Sequence, residues 1–353
     1  MKIYNFSLLI LCILFSFTNC ENKETEEINE VIEYDCLIIN QGNYSESNGE
    51  LSVITLNGEV KNQLYRNSNQ WTLASIIESA IPYKTSWILF CANEDKIEIV
   101  SKDKFKQESC IKGIPTPRYG TIINDFLYVT SVRDWDNSAS GKLFKIDLVK
   151  KTIVKEVSLG NLPEGILLSD EKIWVAATDT IYVINPESDR ITHRIPTKST
   201  QMGAKHLIED NMGNIWCSLT SHKEKGEFIQ IDKKVLNITK RISIPYLSYE
   251  GHLNFSKGKE SIYYLTTKDV IGGQNPEGET NICKWDIKTE TNQIIVKGCG
   301  LYGFNIEPES ENIYTANVNG FITNSLLYIY DKEGNLIEGE KLVGVGACRF
   351  LFR

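Results

Sequence analysis

Glu250-Gly251-His252, with His206 roughly one repeat earlier, is the grouping in this chain that could move a proton. A histidine flanked by a carboxylate can act as a general base. The competing reading is that both imidazoles line a polar channel. Other chemistry-bearing patterns fail: there is no GxSxG, no P-loop, no HExxH and no Cys/His cluster with metal-ligand spacing. Asp134-Trp135-Asp136-Asn137-Ser138 echoes a calcium loop. Ala139, however, stands where the loop needs glycine, and Lys145 where it needs the bidentate glutamate. The segment reads instead as a solvated loop that presents Trp135. No metal and no cofactor is expected.

The elements that must position these residues repeat along the chain. Gly160 to Lys198 reads as one four-stranded antiparallel unit. A Pro-Glu-Gly entry leads into Ile166-Leu167-Leu168, then Ile173-Trp174-Val175-Ala176, Ile181-Tyr182-Val183-Ile184 and a polar outer strand, Arg190 to Thr197. Short β-branched and aromatic runs punctuated by Asx, Gly and Pro turns are the strand-and-hairpin pattern. The same grammar recurs, with inner strands starting at Ser75, Pro117, Pro163, Gly203, Glu250 and Tyr302. A four-stranded unit repeated at this spacing means a propeller.

The two ends supply a seventh unit. Cys36 to Asn40, Gly49 to Thr55 and Val60 to Arg66 read as second, third and outer strands with no inner strand before them. Ala347 to Phe352 reads as an inner strand with nothing after it. The expected fold is therefore all-β: a seven-bladed β-propeller over residues 34–353, closed by the C-terminal strand pairing into the first blade. Closure removes the sheet edges that invite aggregation.

Residues 1–19 resemble a secretory signal, with Lys2 before an apolar run too short to span a bilayer. Cys20 directly follows and is expected to carry a lipid. Residues 20–33 form an acidic tether, since Glu21 to Glu33 is too charged to bury. An acidic stretch after a lipidated cysteine resembles the surface-export signal of Bacteroidota lipoproteins. The expected location is thus the outer membrane, facing the cell exterior. A net charge of −8 with no basic stripe argues against nucleic acid as a partner. Setting aside Cys12 and Cys20, seven cysteines remain: Cys36, Cys91, Cys110, Cys217, Cys283, Cys299 and Cys348. They cannot all pair, there is no CxxC, and most lie in apolar strands, so they are expected to be buried free thiols.

Loop lengths distinguish the two faces. Connections between second and third strands are mostly the longer ones, and they emerge where the inner strands begin; rigid scaffolds place chemistry on such loops. That rim gathers Arg118, Tyr119, Glu164, Lys205, His206, Glu250, His252, Tyr302 and Arg349, with Tyr44, Trp71, Arg133, Trp135, His222 and Phe321 above them. Aromatic and hydrogen-bonding groups converging on a concave mouth suggest a ligand site. The residues expected to bind are Tyr44, Arg118, Tyr119, Trp135, Glu164, His206, Glu250, His252, Tyr302, Phe321 and Arg349.

The Pro163-Glu164-Gly165-Ile166 entry, the Ile-Trp-Val second strand, the Ile-Tyr-Val-Ile-Asn third strand and the opening Ile38-Ile39-Asn40-Gln41-Gly42-Asn43-Tyr44 resemble YncE-like and DUF5074 seven-bladed propeller lipoproteins of Bacteroidota. Members of that group include cell-surface cobalamin-binding lipoproteins that cap a TonB-dependent outer-membrane transporter, and related propellers are linked to siderophore capture. The resemblance implies a non-enzymatic protein that captures a corrinoid- or siderophore-like nutrient and passes it to such a transporter. A second resemblance is to streptogramin lyases, metal-dependent propellers that use His and Glu on neighbouring inner strands. His206, Glu250 and His252 match part of that set, but its supporting carboxylate is not evident beyond Lys268-Asp269. A protein-interaction platform is the third reading.

Overall fold

The computed structural model describes residues 31–132, 140–160, 162–199, 201–269 and 272–353. The apolar runs pair, among these residues, into seven four-stranded antiparallel sheets. The fourth blade follows its sequence pattern closely, with strands Pro163–Ser169, Lys172–Ala177, Thr180–Asn185 and Arg190–Pro196. Asp170 and Glu171 both take positive φ, 47° and 57°, which suits a two-residue hairpin turn matching strand twist.

Packing lies between the blades. Each of seven buried apolar clusters joins neighbouring sheets. The aromatics of the second strands fill these seams: Trp87, Trp174, Trp216 and Tyr263 are all fully buried. Five of the cysteines, Cys36, Cys91, Cys217, Cys283 and Cys348, are buried and unpaired in the same layers, whereas Cys110 is half-buried and Cys299 exposed.

The first blade closes the ring as its end strands imply. Ala347–Phe352 runs antiparallel to Tyr34–Asn40, setting Cys36 opposite Phe352 and Ile38 opposite Phe350. Three boundaries differ from the sequence reading. The outer strand expected over Val60 to Arg66 is only Val60–Lys61 and gives way to a short helix, Leu64–Asn69. Glu50 captures this segment: its carboxylate accepts the Tyr65 and Arg66 amides at 2.9 and 3.1 Å. The second blade's inner strand begins at Ile77 rather than Ser75. In the sixth blade it is only Leu253–Phe255, not a strand from Glu250. There the Gly251 amide closes a turn on the Ser248 carbonyl and Gly251 adopts φ +63°, so the backbone enters the channel looped rather than extended.

The described chain begins on the rim opposite the long loops. The Ile32 amide donates to the Asp103 carbonyl at 2.9 Å, in the turn after Lys96–Ser101. Trp87 Nε1 donates to the Tyr34 hydroxyl at 2.7 Å. The strand Ser86–Cys91 then crosses the ring from that rim to Ala92 and Asn93, which belong to the other.

Candidate functional site

Inner strands would normally alternate side chains between the seams and the sheet's other face. In the second to fifth and the seventh blades, as in the first between Ala347 and Arg349, the pairing with the second strand slips near its start: between Ile77 and Ser79, Pro117 and Gly120, Pro163 and Ile166, Ala204 and Leu207, and Leu301 and Phe304. Such bulges re-aim the residues they contain. Here they present Glu78, Arg118, Glu164, Lys205 and Tyr302 to one cavity at the channel mouth, with a volume of about 630 Å³. Close blade contact makes this geometry possible. A Cβ on Gly165 would lie 2.4 Å from the Lys205 carbonyl oxygen of the next blade.

The floor of the cavity is a buried chain of alternating charge. Arg118 Nη1 donates to Glu78 Oε2, and Arg118 Nε donates to Glu164 Oε2 at 2.8 Å. Lys205 Nζ donates to Glu164 Oε1 at 2.8 Å and stands 4.2 Å from the centre of the Tyr249 ring. Burial alone would raise the Glu164 pKa, but Arg118 and Lys205 outweigh it and hold the carboxyl down to about 2. Glu78 moves the other way: burial pushes it up, against the Arg118 charge and with help from Glu250. The Glu250 side chain has no hydrogen-bond or ion-pair partner among the described residues.

Above the floor stands an aromatic wall. Phe321, at the end of the 3-10 turn Asn319–Phe321, meets Tyr302 edge to face with ring centres 4.8 Å apart. Its carbonyl accepts Asn43 Nδ2 at 2.8 Å, tying the seventh blade's loop to the first blade's. Tyr44 on that first-blade loop is 78% exposed, an uncovered ring at the rim.

A second layer lies beneath. Arg349 Nη2 donates to the Tyr119 hydroxyl at 2.7 Å, and that hydroxyl donates to Glu78 Oε1 at 3.2 Å. Tyr119, His206 and His252 form an edge-to-face row with ring centres 6.0 and 5.7 Å apart. Burial, then the Arg349 charge, pulls His206 down to about 3. The same causes carry His252 well below the usual histidine range, with His206, Lys205 and Arg118 adding to the effect. Both rings are therefore neutral at pH 7, and neutral imidazoles so depressed are weak proton acceptors. No group of three or more His, Cys, Asp or Glu side chains among the described residues is arranged to hold a metal.

Of the residues expected to bind, Tyr44, Arg118, Glu164, Glu250, Tyr302 and Phe321 share the cavity wall. Tyr119, His206, His252 and Arg349 form the layer beneath it. Trp135 and Cys20 lie outside the described residues. Trp71 is spent elsewhere, its Nε1 donating to the Tyr65 hydroxyl at 3.1 Å. His222 stacks on Tyr249 with ring centres 3.9 Å apart, in an adjoining smaller cavity. Sequence reasoning missed Glu78 and Tyr249. Glu78 occupies the same bulge position as Arg118, Glu164 and Lys205, so lining up the inner strands in register is the signal that finds it.

A family model described as a domain of unknown function, DUF5074, matches residues 34–343. None of the curated proteins compared with the chain is similar to it in sequence. Among solved structures, the periplasmic gluconolactonase of Pseudomonas aeruginosa superposes with a TM-score of 0.65 at 15% identity, covering 90% of this chain and 98% of that one. A quinonprotein alcohol dehydrogenase-like protein from Bacteroides thetaiotaomicron gives 0.62 at 13% identity, covering 92% and 79%. A protein from Lactobacillus plantarum gives 0.63 at 14%, covering 90% and 99%. At such identities the likeness is one of fold.

Proposed function

The chain belongs to the DUF5074 family, and from that premise and the form of its channel mouth we propose that it is a small-molecule binding protein. Its ligand is a bulky, corrinoid- or siderophore-like nutrient held on the long-loop face. The reading extends to a lipoprotein anchored through Cys20 on the outer-membrane surface, passing its cargo to a TonB-dependent transporter. The observation that carries the binding step is the cavity of about 630 Å³ with Tyr44, Tyr302 and Phe321 on its wall and Glu78, Arg118, Glu164 and Lys205 on its floor. Ligand sites have this size and this mix of apolar wall and few aimed polar groups.

The test is a thermal-shift screen against corrinoids, haem, siderophores, streptogramins and gluconolactone, with and without magnesium. Gluconolactone is included because the Pseudomonas neighbour is a gluconolactonase. Binding without turnover is the expected result. Tyr302→Ala or Phe321→Ala should each weaken it roughly thirtyfold, as truncating a desolvated aromatic anchor costs ~2 kcal/mol. Magnesium-dependent product that disappears in His252→Ala would replace this reading with a lyase. Lactone hydrolysis would replace it with a lactonase. Silence from every class would favour a protein-interaction platform.

A further inference from the structure

Resting on that binding reading, we propose that Arg349 and His252 form an anion subsite beneath the cavity floor, which takes a carboxylate carried by the ligand. Arg349 lies on the ring-closing strand and is 9% exposed. A guanidinium buried to that degree is ordinarily matched by a carboxylate, because an uncompensated buried charge is costly. Two of the nearby carboxylates are already engaged, and the third, Glu250, makes no hydrogen bond or ion pair with Arg349. Glu78 gives one oxygen to Arg118 and the other to the Tyr119 hydroxyl, and Glu164 gives its two to Arg118 and Lys205. Arg349 is left with a single protein hydrogen bond, to the neutral Tyr119 phenol, and no ion pair among the described residues.

An independent observation points to the same place. His252 is 6% exposed, and its Nε2 is buried without a hydrogen-bond partner among the described residues. Its ring adjoins His206, which adjoins Tyr119, the phenol that Arg349 holds. Arg349 is also the largest charge acting on both imidazoles. A carboxylate here would accept two parallel hydrogen bonds from the guanidinium fork and one from His252, satisfying both orphaned groups together. The subsite adjoins the main cavity, since Glu78 and Tyr302 line that cavity and both act on Arg349.

The probes are 4-bromobenzoate and its neutral counterpart 4-bromobenzamide, which share an aromatic body and differ in charge. Wild-type protein should bind the acid at least about tenfold more tightly than the amide, because hydrogen bonds to a charged acceptor are stronger than those to a neutral one. Arg349→Gln should erase that preference. Because Arg349→Gln removes a charge that no protein carboxylate pairs with, it should melt no lower than wild type in buffer without carboxylate. Should that variant fail to fold, wild-type crystals soaked in 4-bromobenzoate keep the question open to decision. A bromine anomalous peak in the cavity with the carboxylate on Arg349 supports the subsite, and no peak, or one elsewhere, overturns it. Equal binding of acid and amide, unchanged in Arg349→Gln, would overturn the subsite while leaving the binding cavity standing. Failure of the acid to bind overturns it as well.

Discussion

The Thr130 hydroxyl of the third blade donates to the Glu164 carbonyl of the fourth at 2.7 Å. The same oxygen accepts the Tyr119 amide of its own blade at 3.1 Å. Ser218 repeats the arrangement two blades on, accepting the His206 amide at 3.0 Å and donating to the Gly251 carbonyl at 2.7 Å. In both cases one hydroxyl repairs the hydrogen bonding that the bulge interrupts and latches it to the next blade. Thr130→Val keeps the shape and removes the latch, stranding a buried donor and acceptor, and should cost about 1–3 kcal/mol. Thr192→Val, on an exposed outer strand, should change stability by less than about 0.5 kcal/mol. Urea titration of both variants decides it. Equal stabilities would mean that the latch carries no weight.

The seventh blade's bulge depends on backbone contact with the first. A Cβ on Gly303 would lie 2.0 Å from the Cys348 carbonyl oxygen, whereas one on Gly258 meets nothing nearer than 3.5 Å. Gly303→Ala should therefore destabilise by about 1–3 kcal/mol through overpacking. Gly258→Ala should be near neutral. Thermal unfolding that ranks the two alanines together would refute the close-contact account.

Acid should weaken the fold in two stages. His206 titrates near 3 in the folded protein, against ~6.5 when unfolded. Between those values the unfolded chain binds more protons, so stability falls as pH drops below about 6.5. Glu164 sits near 2, against ~4.3 unfolded, so its contribution is present above that value and is lost as pH falls toward 2. His252 is depressed in the same direction, so His206→Gln should reduce the upper slope and the double variant with His252→Gln should flatten it. Glu164→Gln should flatten the lower part and lower stability at neutral pH, since it leaves Arg118 and Lys205 without their shared counter-charge. Denaturant midpoints between pH 7 and 3 measure both slopes, and a wild-type midpoint constant from pH 6.5 to 4.5 would contradict the His206 assignment.

Removing Ala347 to Arg353 should open the ring. The deletion takes away the inner strand paired with Tyr34–Asn40 and, with it, Cys348 and Phe350 from the first blade's seams. Two unprotected strand edges should then drive self-association. Size-exclusion chromatography and melting temperature report the result, and a truncated monomer melting with the wild type would show that closure is dispensable.

The blades were legible because strand alternation and turn chemistry are local, and because the orphan strands at the two ends imply each other. Much of the mouth was legible for a related reason: loop lengths distinguish the rims before any contact is known. Glu78 was not, because a bulge breaks the two-residue period that sequence reading relies on, and a strand start set at Ser75 puts Glu78 out of line with Arg118 and Glu164. The helix Leu64–Asn69 was hidden differently. It replaces an outer strand because Glu50, fourteen residues before it, caps its amides from a neighbouring strand, a tertiary interaction with no local signature. The Arg349–Tyr119 bond joins residues 230 positions apart, a distance that only the ring bridges.

Where Ile32 and Tyr34 dock sets the attitude of the whole disc. Anything that tethers the protein upstream of Val31 pulls on the rim opposite the cavity, so a lipid on Cys20 would hold the mouth pointing away from the bilayer, open to arriving cargo. Ten residues separate Cys20 from Val31, an extended reach of at most about 35 Å. If the proposed hand-over to a pore in that same bilayer occurs, the disc would have to turn over until the loaded side faces down. On that proposal, shortening the stretch between Cys20 and Val31 would leave capture intact and abolish delivery.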